Sequence, residues 1–361
     1  MGVAGKKNAV LAVSFILFWC VSVYYAVMIT SDDTGAPAVD SKDKLLAVLA
    51  DNIAELNTKI YVNTQGIPAE SADIDICDYF QNVLRARVNW WNYTADGRQY
   101  TYREYDITYS MYANVGNALR TGVTASLAPD EKQVYDKIKE IIAGYVKPGM
   151  SDYEKELSLH DYLVCHTAFD SSPANEAAWD SHTPYGALIK GAAVCNGYSD
   201  SFKLLMNAAG LECDIVYGEA VIDGVSQKHA WNRVKIGDGY YLADVAWDDA
   251  FPNLPGVAAY DYFNVTDEMI SADHTPYARD KACTADEYNY FVYNNLLAHN
   301  QTDADNIIKR GLARGARVIY MRGAGFDVSR INFQALADYH QANNGISYSV
   351  NPRMNVMRII L

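Results

Sequence analysis

The sequence predicts an α+β protein: a helix bundle packed on an antiparallel sheet, flanked by small α/β modules and preceded by one N-terminal transmembrane helix. Three observations carry this. The 22 residues from Asn8 to Ile29 contain no charge. The middle of the chain runs apolar helical stripes into consecutive strand-like segments. The stretches on either side of it, 45–113 and 303–361, share one order of elements. With 361 residues, 50% of them apolar, the chain has length for roughly two or three packed units.

At roughly 1.5 Å of rise per residue, a helix over 8–29 matches the ~30 Å core of a bilayer. Lys6 and Lys7 precede it and Asp32 and Asp33 follow. That bias keeps residues 1–7 as a cytoplasmic tail and puts the rest outside, in a single-pass arrangement at the plasma membrane. A cleaved signal peptide is the alternative, but the run exceeds the usual apolar core of about 7–15 residues. An uncleaved anchor is therefore expected. Bulky Phe18 and Trp19 ahead of Cys20 argue against lipidation. Residues 30–44 are small, polar and acidic, with Gly35 and Pro37, and read as a linker.

Residues 45–125 read as the first small module: helix 45–56, strand 59–62, helix 74–84, then strands 87–93 and 104–112. Residues 303–361 read as the second: helix 304–312, strand 317–321, helix 332–342, then strands 346–350 and 354–361. Ile60, Val62 and Val88 in one correspond to Val318, Tyr320 and Ile346 in the other, which suggests an internal repeat. Neither copy clusters Cys, His or carboxylates, so neither is assigned chemistry.

Lys plus Arg number 30 against 44 Asp plus Glu, and the net charge of −14 repels phosphate backbones. Nucleic acid is excluded as a partner. Cysteines at 20, 77, 165, 195, 213 and 283 show no zinc or dithiol spacing, and nothing places Cys77 beside Cys283. No metal and no cofactor are implied.

The chemistry concentrates in residues 130–275. Helices are expected from Pro129 to Gly144 and from Ser151 onward, leading into Cys165. Tyr198, Phe202, Leu205, Met206 and Ala209 then form one helical stripe closed by Gly210, with Cys195 at its amino end. Unpaired N–H groups and the positive helix end stabilise a thiolate and an adjacent oxyanion there. Strands follow over 215–221, 228–234 and 240–245. His229 opens one and Asp244 closes the next, so an antiparallel pairing brings an imidazole and a carboxylate together. A two-residue turn at Asp238-Gly239 would leave them about four residues, roughly 13 Å, out of register, and a bulge or wider loop is expected to correct this. His160, His166, His182, His274 and His299 show no ligand spacing with carboxylates and read as surface or core.

These residues resemble the transglutaminase-like superfamily, which has a papain-like Cys-His-Asp core. The matching segments are Gly186-Ala187-Leu188, Val194-Cys195-Asn196-Gly197-Tyr198, His229-Ala230-Trp231-Asn232 and Tyr241 through Asp248, with His160-Asp161-Tyr162-Leu163 upstream. Ala246 departs from the family, which often has Thr before the Trp. The resemblance implies a papain-like fold with Cys195 as nucleophile, His229 as base then acid, and Asp244 orienting the imidazole. It implies acyl transfer through a thioester on a peptide or protein substrate, ending in hydrolysis or in cross-linking. The Cys195 N–H is an expected oxyanion donor. The Tyr185 hydroxyl is a second candidate, and Trp231 and Trp247 are candidate site walls. The competing expectation is a surface binding or structural protein that keeps this fold without turnover.

Overall fold

The computed structural model describes residues 36–67, 76–80, 82–172, 178–222, 224–249, 257–278, 281–336 and 346–361. The expected tail, membrane anchor and first part of the linker lie outside these residues. Among the described residues no helix is long and apolar enough to cross a membrane. The chain divides into two compact units, 1–114 and 115–361, with the boundary inside the helix Met111–Thr121.

In the first unit, β1 (Ala38–Val39), β2 (Lys59–Gln65), β3 (Val83–Ala95) and β4 (Arg98–Tyr109) form one sheet in the order β1-β2-β4-β3. It therefore begins inside the stretch read from sequence as linker. The helix Lys42–Ala54 starts at Ser41, whose hydroxyl accepts from the Lys44 N–H, and its Leu45, Leu49 and Ile53 repeat every four residues. That stripe covers Ile60, Val62, Tyr105 and Ile107 on one sheet face.

In the second unit, β5 (Ala168–Phe169) pairs in parallel with β6 (Ala192–Ala193). The main sheet comprises β7 (Cys213–Ile222), β8 (Val225–Ile236), β9 (Gly239–Ala243) and β10 (His274–Pro276), in the order β10-β7-β8-β9. The helix Cys195–Ala208 lies against this sheet and beneath the helices Pro129–Tyr145 and Asp152–His166. It is central, so its apolar residues are buried on more than one side: Tyr198, Phe202, Leu204, Leu205 and Met206. Burying each of the larger ones contributes about 1.5–3 kcal/mol before entropy. The helix Asp152–His166 opens with a reciprocal cap: Ser151 Oγ accepts from the Glu154 N–H, and the Glu154 carboxylate accepts from the Ser151 N–H at 2.7 Å.

The same unit ends in a third sheet of β11 (Leu297–Ala298), β12 (Val318–Gly323), β13 (Ser347–Asn351) and β14 (Val356–Ile360), in the order β11-β12-β14-β13. This is the topology of the first unit's sheet, with the same parallel and antiparallel neighbours. Ala38 to Leu297, Lys42 to Gln301, Ala54 to Ala313 and Lys59 to Val318 are all 259 residues apart. The helix caps correspond too, Asn300 taking the place of Ser41. The repeat suggested by the sequence is thus present as one topology, but Ile60 and Val62 correspond to buried Ile319 and Met321, one residue on from Val318 and Tyr320. Each copy is entered by a short parallel strand that the pattern had not disclosed. The expected helix 332–342 is described only as a 3-10 turn, Phe333–Leu336.

The terminal sheet meets the central fold through polar ties. The Arg358 guanidinium pairs with buried Asp261, which also accepts from Asn351 Nδ2 at 2.8 Å, and the Tyr320 hydroxyl donates to the Ala258 carbonyl at 2.7 Å. Cys165, Cys195 and Cys213 are free thiols.

Candidate active site

The nucleophile's place is set by close packing at a helix start. Val194 N–H donates to the Ser181 carbonyl at 2.9 Å, and a Cβ on Gly197 would stand 2.5 Å from that same oxygen. Only glycine lets the first turn of Cys195–Ala208 press on the 3-10 turn Trp179–His182. Cys195 is partly exposed, while His229 is 6% and Asp244 1% exposed. Cys195 thus retains partial access to solvent, whereas the imidazole and carboxylate are buried.

The register question resolves without a bulge. The β8–β9 turn is Gly237-Asp238, one residue earlier than expected, with Gly237 at φ 58°. Ile236 pairs with Gly239 and Asn232 with Ala243. Continuing that register, Asp244 comes opposite Trp231, two residues from His229, or about 7 Å along the strand. The side chain spans the rest. Asp244 leaves the sheet to cap the short helix Val245–Asp248, accepting the Trp247 N–H on Oδ1 at 3.1 Å. This turns Oδ2 back to His229 Nε2, at 2.6 Å. The other ring nitrogen is left unbonded by Asp244; the Cys195 thiol donates to Asn196 Oδ1 at 3.6 Å and is close enough to His229 to raise its basicity. Imidazole and carboxylate are thus joined directly.

A second histidine shares the carboxylate. His274 Nε2 lies 3.0 Å from Asp244 Oδ2, and its Nδ1 lies 2.6 Å from Asp273 Oδ1. The sheet explains how. His229 pairs with Gly218 on β7, and His274 on β10 pairs with Ala220. Gly218 and Ala220 are two apart and point to one face, so two small residues leave a trough in which the rings meet, with centroids 5.3 Å apart. A Cβ on Gly218 would be 2.3 Å from the Thr275 carbonyl and 2.6 Å from Trp231 Cη2.

Burial alone would discharge these groups, but their mutual charge prevails. Burial pushes the His229 imidazole down, yet the Asp244 carboxylate and the Cys195 thiol carry it up to about 10. Burial pushes Asp244 up, and the two imidazoles more than offset that, holding it below the usual carboxylate range. His274 is likewise raised by Asp244 and Asp273 against the effect of burial. Two indoles close the cluster. Trp231 centres 6.1 Å from His229 and 5.0 Å from His274, and Trp247 5.5 and 4.4 Å from the same rings. They exclude water, which strengthens every charge interaction inside. The two Trp residues predicted as walls therefore pack on the imidazoles, whereas the Tyr185 ring lies under the Lys190 ammonium, 5.7 Å away.

His274 and His160, which show no ligand spacing with carboxylates in the sequence, are both core residues, and each has two carboxylate partners that the spacing did not disclose. Each sits beside an aspartate in sequence, the one signal that was available. His160 is fully buried, 3.1 Å from Asp161 and 3.2 Å from Asp248. Asp248 ends the short helix that Asp244 caps, so His160 fixes that helix from the neighbouring Asp152–His166. Burial lowers its basicity, but the two carboxylates carry the imidazole up to about 9. Ligand atoms of His229, Asp244 and His274 lie within 4.8 Å of one another, near enough to share an ion. The hydrogen bonds at 2.6 and 3.0 Å already occupy those atoms. The chemistry of this donor set is satisfied by protons.

With this geometry in view, residues 139–245 match the family model of the transglutaminase-like superfamily core. The chain contains a transglutaminase-like domain. Kyphoscoliosis peptidase of Mus musculus is 24% identical over 118 residues, covering 30% of this chain, and that of Homo sapiens is 23% identical over the same length. The matched part spans 18% of those relatives. A crystal structure of a TGase is 14% identical, covers 59% of each chain and superposes with a TM-score of 0.27.

Proposed function

We propose that this transglutaminase-like domain is a cysteine-dependent acyl transferase or hydrolase acting on peptide amide bonds, with Cys195 as nucleophile, His229 as proton carrier and Asp244 as orienter. The observation that supports this most is the 2.6 Å bond between His229 and Asp244, with the Cys195 sulfur, at a helix amino end, close enough to raise the basicity of that imidazole. With Asp244 ionised, His229 Nε2–H donates to it and the other ring nitrogen takes the thiol proton. The thiolate adds to the amide carbon, a C–S bond forms, and the carbonyl electron pair moves to oxygen beside the Cys195 N–H. Collapse expels the amine, which takes its proton from the His229 imidazolium, and a thioester remains. Water or a second amine then attacks the thioester carbon, giving up its proton to His229. Collapse breaks the C–S bond, releasing the acid or amide and returning the Cys195 thiolate beside the His229 imidazolium. Hydrolysis is favoured over cross-linking, since water is the abundant acceptor.

The test incubates the full chain with casein, with and without a fluorescent primary amine. Peptide release, amine incorporation, or a thioester adduct on Cys195 in the mass spectrum supports the reading. Activity that survives Cys195→Ala refutes it, and a protein that binds peptides without turnover is then the better description.

The uncharged run at 8–29, with Lys6 and Lys7 before it and Asp32 and Asp33 after, supports a single-pass anchor that holds this domain outside the membrane. Labelling of Cys195 on intact cells by a membrane-impermeant maleimide is the expected result. Labelling only after lysis rejects that orientation.

A further inference from the structure

The catalytic line does not end at Asp244. Its Oδ2 receives two imidazoles, His229 at 2.6 Å and His274 at 3.0 Å. The far nitrogen of His274 meets Asp273, whose other oxygen accepts the Tyr262 hydroxyl at 2.6 Å and lies 3.6 Å from Arg353 Nη1. Arg353 stands just beyond β13, in the turn before β14, so the terminal sheet braces the back of the site. We propose that His274, held by Asp273, is a positioning residue that fixes Asp244 on His229 and acts as a permanent cation that makes the His229 imidazolium a readier proton donor. This rests on the catalytic reading of Cys195, His229 and Asp244.

The argument is one of valence. An ionised carboxylate only accepts, and both nitrogens of His274 face carboxylates, so the ring donates twice and carries a positive charge. It is 1% exposed, and the groups facing it are His229, Asp244, Asp273 and the Tyr262 hydroxyl, with Arg353 beyond Asp273. Two roles follow. The second donor pins the Asp244 oxygen that His229 uses. The second cation, 5.3 Å from His229 between ring centres, opposes the hold of Asp244 on the His229 proton. Without that second cation, His229 would hold its proton more firmly still and pass it less readily to a leaving amine.

The experiment follows alkylation of Cys195 by iodoacetate across pH 5–11, read on the Cys195 peptide by mass spectrometry. A thiolate–imidazolium pair makes this rate bell-shaped, because an anionic reagent is drawn to the imidazolium, and the alkaline limb reports loss of the His229 proton. His274→Gln keeps an N–H for Asp244 but carries no charge, and Asp273→Asn removes the partner that holds the charge on His274. In both, the alkaline limb is expected to move up by about one pH unit. A purely structural role would not shift it in that direction. A limb that stays or moves down in folded variants overturns the proposal. A wild-type profile with no bell defeats the catalytic reading instead, which separates the two failures. Nitrogen-15 NMR of the wild-type protein decides independently of any variant: His274 is expected to carry protons on both ring nitrogens at neutral pH, and a neutral ring overturns the proposal.

Discussion

Gly218→Ala tests whether the trough between His229 and His274 depends on a missing side chain. The new Cβ would lie 2.3 Å from the Thr275 carbonyl oxygen, 2.8 Å from Pro276 Cα and 2.6 Å from Trp231 Cη2, where ordinary contact starts at 3.4 Å. Two of those atoms are backbone and do not rotate away. β10 must therefore retreat from β7 by about 1 Å, straining the bonds Val221 N–H to Asp273 O and Tyr277 N–H to Tyr217 O, both 2.9 Å. Overpacking costs about 1–3 kcal/mol and each of the two weakened ladder bonds about 1 kcal/mol, so a loss of roughly 3–5 kcal/mol is expected. The same retreat stretches the 3.0 Å bond from His274 to Asp244. Urea unfolding measures the first effect and the iodoacetate profile of Cys195 the second. Gly144→Ala is the control, since its Cβ meets nothing within 4 Å. It sits in the helix Pro129–Tyr145, and a gain of about 0.5–1 kcal/mol is expected. A Gly218→Ala protein within about 0.5 kcal/mol of wild type, with an unchanged profile, would refute the packing argument.

Three further outcomes are expected. Asp244→Asn removes the charge that carries His229 up to about 10; burial then dominates, the thiol keeps its proton, and alkylation of Cys195 at pH 7 should slow by on the order of 10²–10³-fold. Glu156 is fully buried, with Oε2 accepting from Asn264 Nδ2 at 2.7 Å, and burial pushes it up to about 8. A folded-state value raised above the unfolded one means stability is full at acidic pH and is lost as pH climbs from about 4.5 to about 8, at roughly 1.4 kcal/mol per unit. Glu156→Gln should flatten this slope, so that the variant matches wild type at pH 5 and exceeds it at pH 8 in urea titrations. Arg358→Ala strands the buried Asp261 carboxylate and should cost about 3–5 kcal/mol. Adding Asp261→Ala should recover part of that loss, and strictly additive losses would deny the pair.

The amino-acid order alone made the meeting of His229 and Asp244 legible, because two neighbouring strand patterns dictate which ends come together. It also disclosed the paired modules, since apolar period and element order survive in the linear text. Register did not survive: the turn at Gly237-Asp238 differs from one at Asp238-Gly239 by a single residue, and both carry glycine and aspartate. Nor did the second imidazole. His274 reaches Asp244 only because β10 lies beside β7, and because Gly218 and Ala220 leave the space between them empty. Which strand neighbours which is set by packing summed over the whole sheet, and no local pattern around residue 274 encodes it. The residue types were thus readable one segment at a time, while the sharing of one carboxylate by two imidazoles is a property of the assembled sheet.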